Sequence, residues 1–159
     1  MKHFFHTRLI APLLALLKQG LSPRELALCI ALGAGIGLFP VLGVSTPLLT
    51  IIALARKLNL AAIQLVSYAL SPIQLVLIIP FMRLGEWAVG ATPQPMTIAA
   101  GMEILSTGIL EAIITLWDAI IHATVGWLIL GPLAIYVTYR LLIPLLERAS
   151  QSLRKADEL

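Results

Sequence analysis

The stretch GAGIGLFPVLGVSTP, residues 33–47, places four glycines, two prolines and two hydroxyl side chains inside an apolar run. That run extends from Leu26 to Ala55 and contains thirty residues without a charged side chain or a histidine. A chain that crosses a bilayer needs an unbroken helix, because lipid offers its backbone no hydrogen-bond partners. Proline lacks an N–H and glycine permits reversals, so both interrupt helices. The stretch therefore predicts two helices joined by a turn within the run.

The composition of the whole chain indicates a membrane protein. Of 159 residues, 59% are hydrophobic and 12% are charged, with a mean hydropathy of +0.96, whereas soluble domains are about one quarter charged. A second apolar run extends from Leu58 to Met82, and a third, from Ala119 to Tyr139, is interrupted only by His122. About 20 apolar residues span a hydrocarbon core. We therefore predict an all-α, multi-pass membrane protein.

The distribution of basic residues predicts how the chain is oriented. No Lys or Arg occurs between Arg83 and Arg140, whereas Arg56 and Lys57 separate the first two apolar runs. The positive-inside rule places the interval without Lys or Arg outside and both termini in the cytoplasm. If the first run crossed once, its basic pair would lie outside. We therefore predict a re-entrant helical hairpin at 23–57, which enters and leaves the membrane on the cytoplasmic side.

The other segments follow from the same patterns. Ser22 is expected to cap the first helix of the hairpin, with Pro23 in the first turn. We treat residues 1–159 as one membrane domain. Around the hairpin at 23–57 its predicted segments are an interfacial helix at 2–19, a proline-broken transmembrane helix at 58–82, an outer loop from residue 83, an outer amphipathic helix at 97–118, a final transmembrane helix at 119–143 and a cytoplasmic tail at 145–159.

Polar side chains near the two predicted helix breaks form a candidate substrate site. Ser45 and Thr46 lie in the hairpin turn, and the second apolar run contributes polar residues at helical spacing beside Pro72, namely Gln64, Ser67, Ser71 and Gln74. One interpretation is that these groups replace backbone bonds lost at the proline and hold neighbouring helices together. The other is a polar transport pocket, since broken helices that meet near the midplane often mark transport sites.

Two arginines at the ends of the apolar runs allow two interpretations. Arg83 either pairs with Glu86 three residues later or provides a positive charge for an anionic head group that enters from outside. Arg140 is suited to the same role at the inner end of the last span. Glu103, Thr107, Glu111, Thr115, Asp118 and His122 follow at helical spacing and predict a solvated helix face or, alternatively, an acidic wall beside the pocket.

Several kinds of chemistry find no support in the sequence. The pattern Gly33-x-Gly35-x-Gly37 lacks the preceding strand and the spacing of a dinucleotide site, and it is better explained by close helix packing. His3 with His6, or Asp118 with His122, supplies only two metal ligands. No Ser/His/Asp set comes together. We expect no enzyme activity, no metal or other cofactor, and membrane lipids rather than nucleic acid as partners of this basic chain.

The region from Gly20 to Gly85 resembles a family of small bacterial membrane proteins known as domain of unknown function 2062. The residues that carry the likeness are Gly20-x-Ser22-Pro23, the glycines leading to Phe39-Pro40, Gly43, Thr46, Asn59, Ser71-Pro72 and Leu84-Gly85. The resemblance implies an integral protein of the bacterial inner membrane. Members are sometimes joined to glycosyltransferase domains, which suggests a role with lipid-linked sugars or in assembly of the cell envelope.

Two functions are therefore expected. The first is a small transporter or lipid flippase for an anionic or lipid-linked solute, with Ser45, Thr46 and the polar helix face as its site. The alternative is a scaffold without transport activity that positions a glycosyltransferase or another partner. Because two full spans enclose no pore, we also expect a homo-oligomer with the small-residue hairpin at or near its interface.

Overall fold

The computed structural model describes residues 21–93 and 109–157, and the side chains of the second range from 114 to 152. All regular structure in these ranges is helical, which confirms the predicted all-α class. The helices are α1 (Pro23–Gly37), α2 (Ser45–Arg56), α3 (Leu60–Val89) and α4 (Ile109–Asp157). The interfacial helix predicted at 2–19 and the part of the amphipathic helix before residue 109 lie outside the described residues.

Helix α1 begins with the capping pattern expected from the sequence. The Ser22 hydroxyl accepts a hydrogen bond from the Glu25 N–H at 3.2 Å, and the Glu25 carboxylate accepts from the Ser22 N–H at 3.0 Å. Pro23 occupies the first turn. The hydrogen bonds from the side chain and backbone of Ser22 hold the pKa of the Glu25 carboxyl below its ordinary value. This reciprocal capping box fixes the start of α1.

The predicted hairpin is present as a helix–turn–helix unit. Residues 38–44 connect α1 to α2, and Gly43 has a φ of 81°, a conformation that favours glycine. Helix α2 is 12 residues long and leads back towards Asn59, which lies beside the middle of α1 and contacts the Cys29 side chain. Helix α2 therefore leads back along α1 as far as its middle, towards the end of the bundle from which α1 starts.

Helix α3 is longer and less interrupted than predicted. It runs for 30 residues through Pro72 and Pro80 without ending, so the predicted break at Pro72 is wrong. One proline removes a single backbone donor, and packing on both sides holds the remaining turns in place. The helix stops only at Gly90, whose φ is 71°. The outer loop predicted from residue 83 is therefore also wrong, because the turn that contains buried Gly85 packs against α4.

Helix α4 passes through two prolines and includes the segment that we expected to be a tail. Its 49 residues correspond to about 74 Å at 1.5 Å per residue. Pro132 and Pro144 lie inside the helix, which continues to Asp157. The predicted end near residue 143 is wrong, because Leu146 packs against the core of the bundle and Glu147 forms an ion pair with α1.

Glycines bring the helices of the bundle into close contact. A Cβ on Gly33 would lie 2.6 Å from the carbonyl oxygen of Ile63, and a Cβ on Gly37 would lie 2.8 Å from the Ser67 hydroxyl. At the crossing of α3 and α4, a Cβ on Gly85 would overlap a backbone carbonyl oxygen of α4. Two helix pairs, α1 with α3 and α3 with α4, therefore depend on the absence of a side chain at these three positions. Helix α1 runs parallel to α3 and antiparallel to α4.

Two helical segments are long and apolar enough to cross a membrane, Leu60–Val89 and Ile114–Ser152, with mean hydropathies of 1.9 and 1.8. Only 28% of the most apolar window of each is buried, which is unlike a core helix of a soluble protein. Large apolar side chains face outwards all along these helices, as they do on α2. These features support membrane association of the chain.

Candidate functional site at the hairpin turn

The hairpin turn lies inside the bundle. The last carbonyl groups of α1 have no partner within that helix, so they need hydrogen-bond donors from other helices. The indole Nε1 of Trp127, on α4, donates to the Gly35 carbonyl at 2.9 Å. The amide Nε2 of Gln74, on α3, donates to the Phe39 carbonyl at 2.6 Å. The Phe39 and Trp127 rings also meet edge to face, with centroids 5.0 Å apart. Side chains of both long helices therefore cap the end of α1.

A third polar side chain binds the start of α2. Gln64 Nε2 donates to the Thr46 carbonyl and to the Thr50 hydroxyl, each at 3.2 Å. The Thr50 hydroxyl in turn donates to the Thr46 carbonyl at 2.8 Å. Gln64 Oε1 is buried and has no hydrogen-bond partner among the described residues. Because a buried acceptor without a partner costs about 1–3 kcal/mol, this oxygen is a natural position for a water or ligand donor.

Part of the predicted substrate site comes together at the hairpin. Ser67 is 2% exposed and packs against Gly37, and Ser45 is 7% exposed. The Ser71 hydroxyl donates within its own helix to the Ser67 carbonyl at 3.4 Å. Gln64, Ser67 and Gln74 therefore contact the hairpin, and the role of these residues in binding a substrate stays a prediction. The two glutamines are bonded to hairpin groups, so they fasten the hairpin to α3.

The polar residues near the other end of α3 pair within their helices. Arg83 Nη1 lies 2.8 Å from Glu86 Oε2, which confirms the pairing interpretation, and both residues make further interactions. On α4, His122 Nδ1 lies 2.9 Å from the Asp118 carbonyl oxygen and 3.3 Å from its carboxylate. His122 is only 9% exposed. The prediction of a solvated helix face is wrong at His122. Because Gly85 has no side chain, this turn of α4 packs directly against α3.

Outside the predicted site, the part of the chain that the structure describes lines two further cavities. The first, which we call the basic cleft, has a volume of about 550 Å³ and lies between α1 and α4. Its lining residues are Arg24, Tyr139, Arg140, Ile143 and Pro144. The second, the apolar groove, has a volume of about 430 Å³ and lies between the hairpin turn, α3 and α4. Its lining residues are Pro40, Val41, Leu42, Ile78, Ile79, Met82, Leu116, Ala119, Ile120 and Ala123.

Some functional candidates were missed from the sequence. Trp127 carries no local signal, because its role depends on where α1 ends in space. Arg24 joins Arg140 only because α1 is antiparallel to α4. The close helix packing predicted at Gly33 and Gly37 is confirmed, since both pack on α3 of the same chain. The homo-oligomer with the hairpin at or near its interface stays a prediction.

Comparison with known families supports the resemblance seen in the sequence. The chain has no significant match among curated proteins or among solved structures. The profile of one family, described as "Uncharacterized protein conserved in bacteria", matches residues 6–155. This match covers nearly the whole chain, including all four described helices up to the last turn of α4. The chain belongs to this bacterial family, DUF2062.

Proposed function

We propose that the protein is a multi-pass protein of the bacterial inner membrane that moves an anionic or lipid-linked solute. In this proposal both termini are cytoplasmic, and the hairpin re-enters the membrane from the cytoplasmic side. The observation that carries the proposal is that side chains of both apolar helices donate hydrogen bonds to backbone carbonyls around the hairpin turn.

The spacing of charges along the two long helices gives the thickness of that layer. Residues 58–82 contain no charged side chain, and these 25 residues correspond to about 37 Å of helix. On α4 the corresponding interval is 123–139, or about 26 Å. A hydrocarbon core is about 30 Å thick. One boundary of the layer is marked by the basic residues Arg56, Lys57 and Arg140. The other boundary is marked by Arg83 and Asp118.

The hairpin extends only part of the way through this layer. The 12 residues of α2 correspond to about 18 Å of helix from the basic boundary at Arg56. In this proposal the turn at 38–44 lies inside the layer and nearer its other boundary, because residues 40–42 line the apolar groove together with Met82. Non-helical backbone inside a membrane is tolerated where it is buried in protein or lines a cavity. The donors from Gln64, Gln74 and Trp127 meet this requirement, and helix ends inside the membrane are a recurrent feature of transport sites.

The surroundings of the turn suit an amphiphilic substrate. Gln64 Oε1 provides a buried acceptor beside Thr46 and Thr50, which suits a hydroxyl donor such as that of a sugar. The apolar groove lies against the hairpin turn and suits an acyl or prenyl chain. In this proposal the Arg83 guanidinium, which is 40% exposed beside Glu86, also attracts an anionic group at the outer boundary. A lipid-linked solute combines these three chemical features.

Reconstitution into vesicles tests the proposal. The measurement is the rate at which a fluorescent anionic lipid, and separately a labelled lipid-linked sugar, become accessible to a membrane-impermeant quencher. We expect wild-type protein to accelerate exchange and Gln64→Leu to reduce it at least fivefold. Thr124→Val is the matched control, because the Thr124 hydroxyl bonds only within its own helix among the described residues. Vesicles with wild-type protein that exchange no faster than empty vesicles would contradict the proposal.

One observation favours the alternative role as a scaffold. Gln64 and Gln74 both donate to hairpin groups, so the amide N–H groups of both glutamines already fasten the hairpin to α3. A glycosyltransferase or a second copy of the chain would then bind the exposed face of α2, where Ile51 and Leu54 are 64% and 70% exposed. A photo-crosslinking residue at position 54 that captures one stable protein, together with no lipid exchange, would favour this role.

A further inference from the structure

The basic cleft lies at the end of the bundle where α1 begins. The Arg24 Nε lies 3.7 Å from a carboxylate oxygen of Glu147, which fixes the first turn of α1 beside the part of α4 around Pro144. The cleft volume of about 550 Å³ is within the usual range for ligand pockets. Two arginines and a tyrosine line it together with two apolar side chains. This is a separate site from the hairpin turn, with a different chemistry.

The position of the cleft along α4 corresponds to the headgroup level of a bilayer. Tyr139 is the last residue of the charge-free interval of α4, and Arg140 directly follows it. Tyrosine is enriched at membrane interfaces, and arginine extends its charged group towards headgroups from a partly buried stem. The apolar part of the lining, Ile143 and Pro144, provides a wall for the first carbons below a headgroup. A lipid phosphate would thus be at the height of both arginines.

The charges of the cleft favour an anion with several acceptor oxygens. A guanidinium presents five donors in a planar fork that matches phosphate. The pair between Arg24 and Glu147 is exposed, with side-chain exposures of 75% and 45%, and such surface pairs are worth little. A phosphate can therefore replace Glu147 as the partner of Arg24. The start of α1 adds the positive end of the helix dipole on the same side.

We propose that the basic cleft binds a phosphate group, supplied by an anionic lipid of the cytoplasmic leaflet, through Arg24 and Arg140. The position of the cleft at the cytoplasmic leaflet rests on the proposed function, but phosphate binding in the cleft does not require that the protein transports anything. Glu147 competes with the ligand for Arg24. Removal of the Glu147 carboxylate therefore strengthens binding, whereas loss of the two arginines weakens it.

Native mass spectrometry of the purified full chain tests the site. The protein is incubated with phosphatidylglycerol or with phosphatidylcholine, and the retained lipid is counted. We expect wild type to retain phosphatidylglycerol, the Arg24→Gln, Arg140→Gln double variant to retain at least tenfold less, and Glu147→Gln to retain more. Arg56→Gln is the matched control, because Arg56 is an exposed arginine at the same end of the bundle and does not line the cleft. It should behave as wild type.

Inorganic phosphate distinguishes the two sources of the ligand. If it displaces phosphatidylglycerol from wild type, the headgroup phosphate is what the cleft recognises. If it stabilises lipid-free protein against heat in wild type and not in the double variant, the cleft takes free phosphate as well. Equal lipid retention in the double variant and in Arg56→Gln would overturn the proposal, as would unchanged retention in Glu147→Gln. Selective retention without lipid exchange in vesicles would count against the transport function alone.

Discussion

Replacing Gln74 by leucine removes the donor that caps the Phe39 carbonyl at the hairpin turn. The side chain keeps a similar volume, but the hydrogen bond of 2.6 Å is lost and the carbonyl is left in apolar surroundings. A buried acceptor deprived of its partner costs about 1–3 kcal/mol. We therefore expect Gln74→Leu to lower the free energy of unfolding by about 2 kcal/mol, or about 30-fold in the ratio of folded to unfolded protein.

The matched control is Ser71→Ala, on the same helix and from the same predicted polar face. Its hydroxyl makes an intrahelical bond of 3.4 Å, which is long for an O–H donor, so the cost should be below about 0.5 kcal/mol. The assay is equilibrium unfolding in mixed micelles of a mild detergent and dodecyl sulfate, followed by tryptophan fluorescence. Equal stabilities of the two variants would refute the idea that Gln74 fastens the hairpin.

Three further predictions concern the helix contacts. Gly85→Ala should lower the free energy of unfolding by about 3 kcal/mol, which is the upper end of the range for overpacking, because the new methyl group meets a backbone carbonyl of α4. A variant as stable as wild type in the same assay would contradict this prediction. Trp127→Phe should cost about 1 kcal/mol through the lost hydrogen bond, whereas Trp117→Phe, at a side chain 65% exposed, should cost almost nothing. Ser22→Ala should weaken the N-terminal cap of α1 and return the pKa of Glu25 to its ordinary value. The pKa of Glu25 is lower in the folded protein than in the unfolded chain. The Glu25 carboxylate therefore stabilises the fold above its unfolded pKa, and this stabilisation is lost as the pH falls through its folded pKa. In Ser22→Ala, a plot of the free energy of unfolding against pH should no longer show this loss.

The hairpin was predictable because its signals are local in the sequence. Glycine and proline mark the turn, Ser22 marks the start of α1, and the basic pair at Arg56 and Lys57 marks the return. The polar face of α3 was predictable from its spacing, since residues three and four apart share a helix face. In each case the physical cause acts within a few turns of one helix.

The helix ends were not predictable, because tertiary packing outweighs the local cost of proline. Helix α3 continues through Pro72 and α4 through Pro144, since each proline removes only one donor from a helix held by its neighbours. The capping role of Trp127 and the basic cleft also depend on distant segments. Trp127 is 92 residues from the carbonyl that it caps, and no pattern in either segment indicates the partner.

The central claim is that the hairpin enters and leaves the membrane on one side, and cysteine labelling tests it most directly. The native thiol, which is buried at Cys29, is first replaced by alanine. Single cysteines are then introduced by Arg24→Cys, Lys57→Cys, Thr92→Cys and Ser152→Cys at exposed positions, and each is treated with a membrane-impermeant maleimide. The account predicts labelling at 24, 57 and 152 only in inverted membrane vesicles, and at 92 only in intact spheroplasts. Labelling of positions 24 and 57 from opposite sides would contradict it.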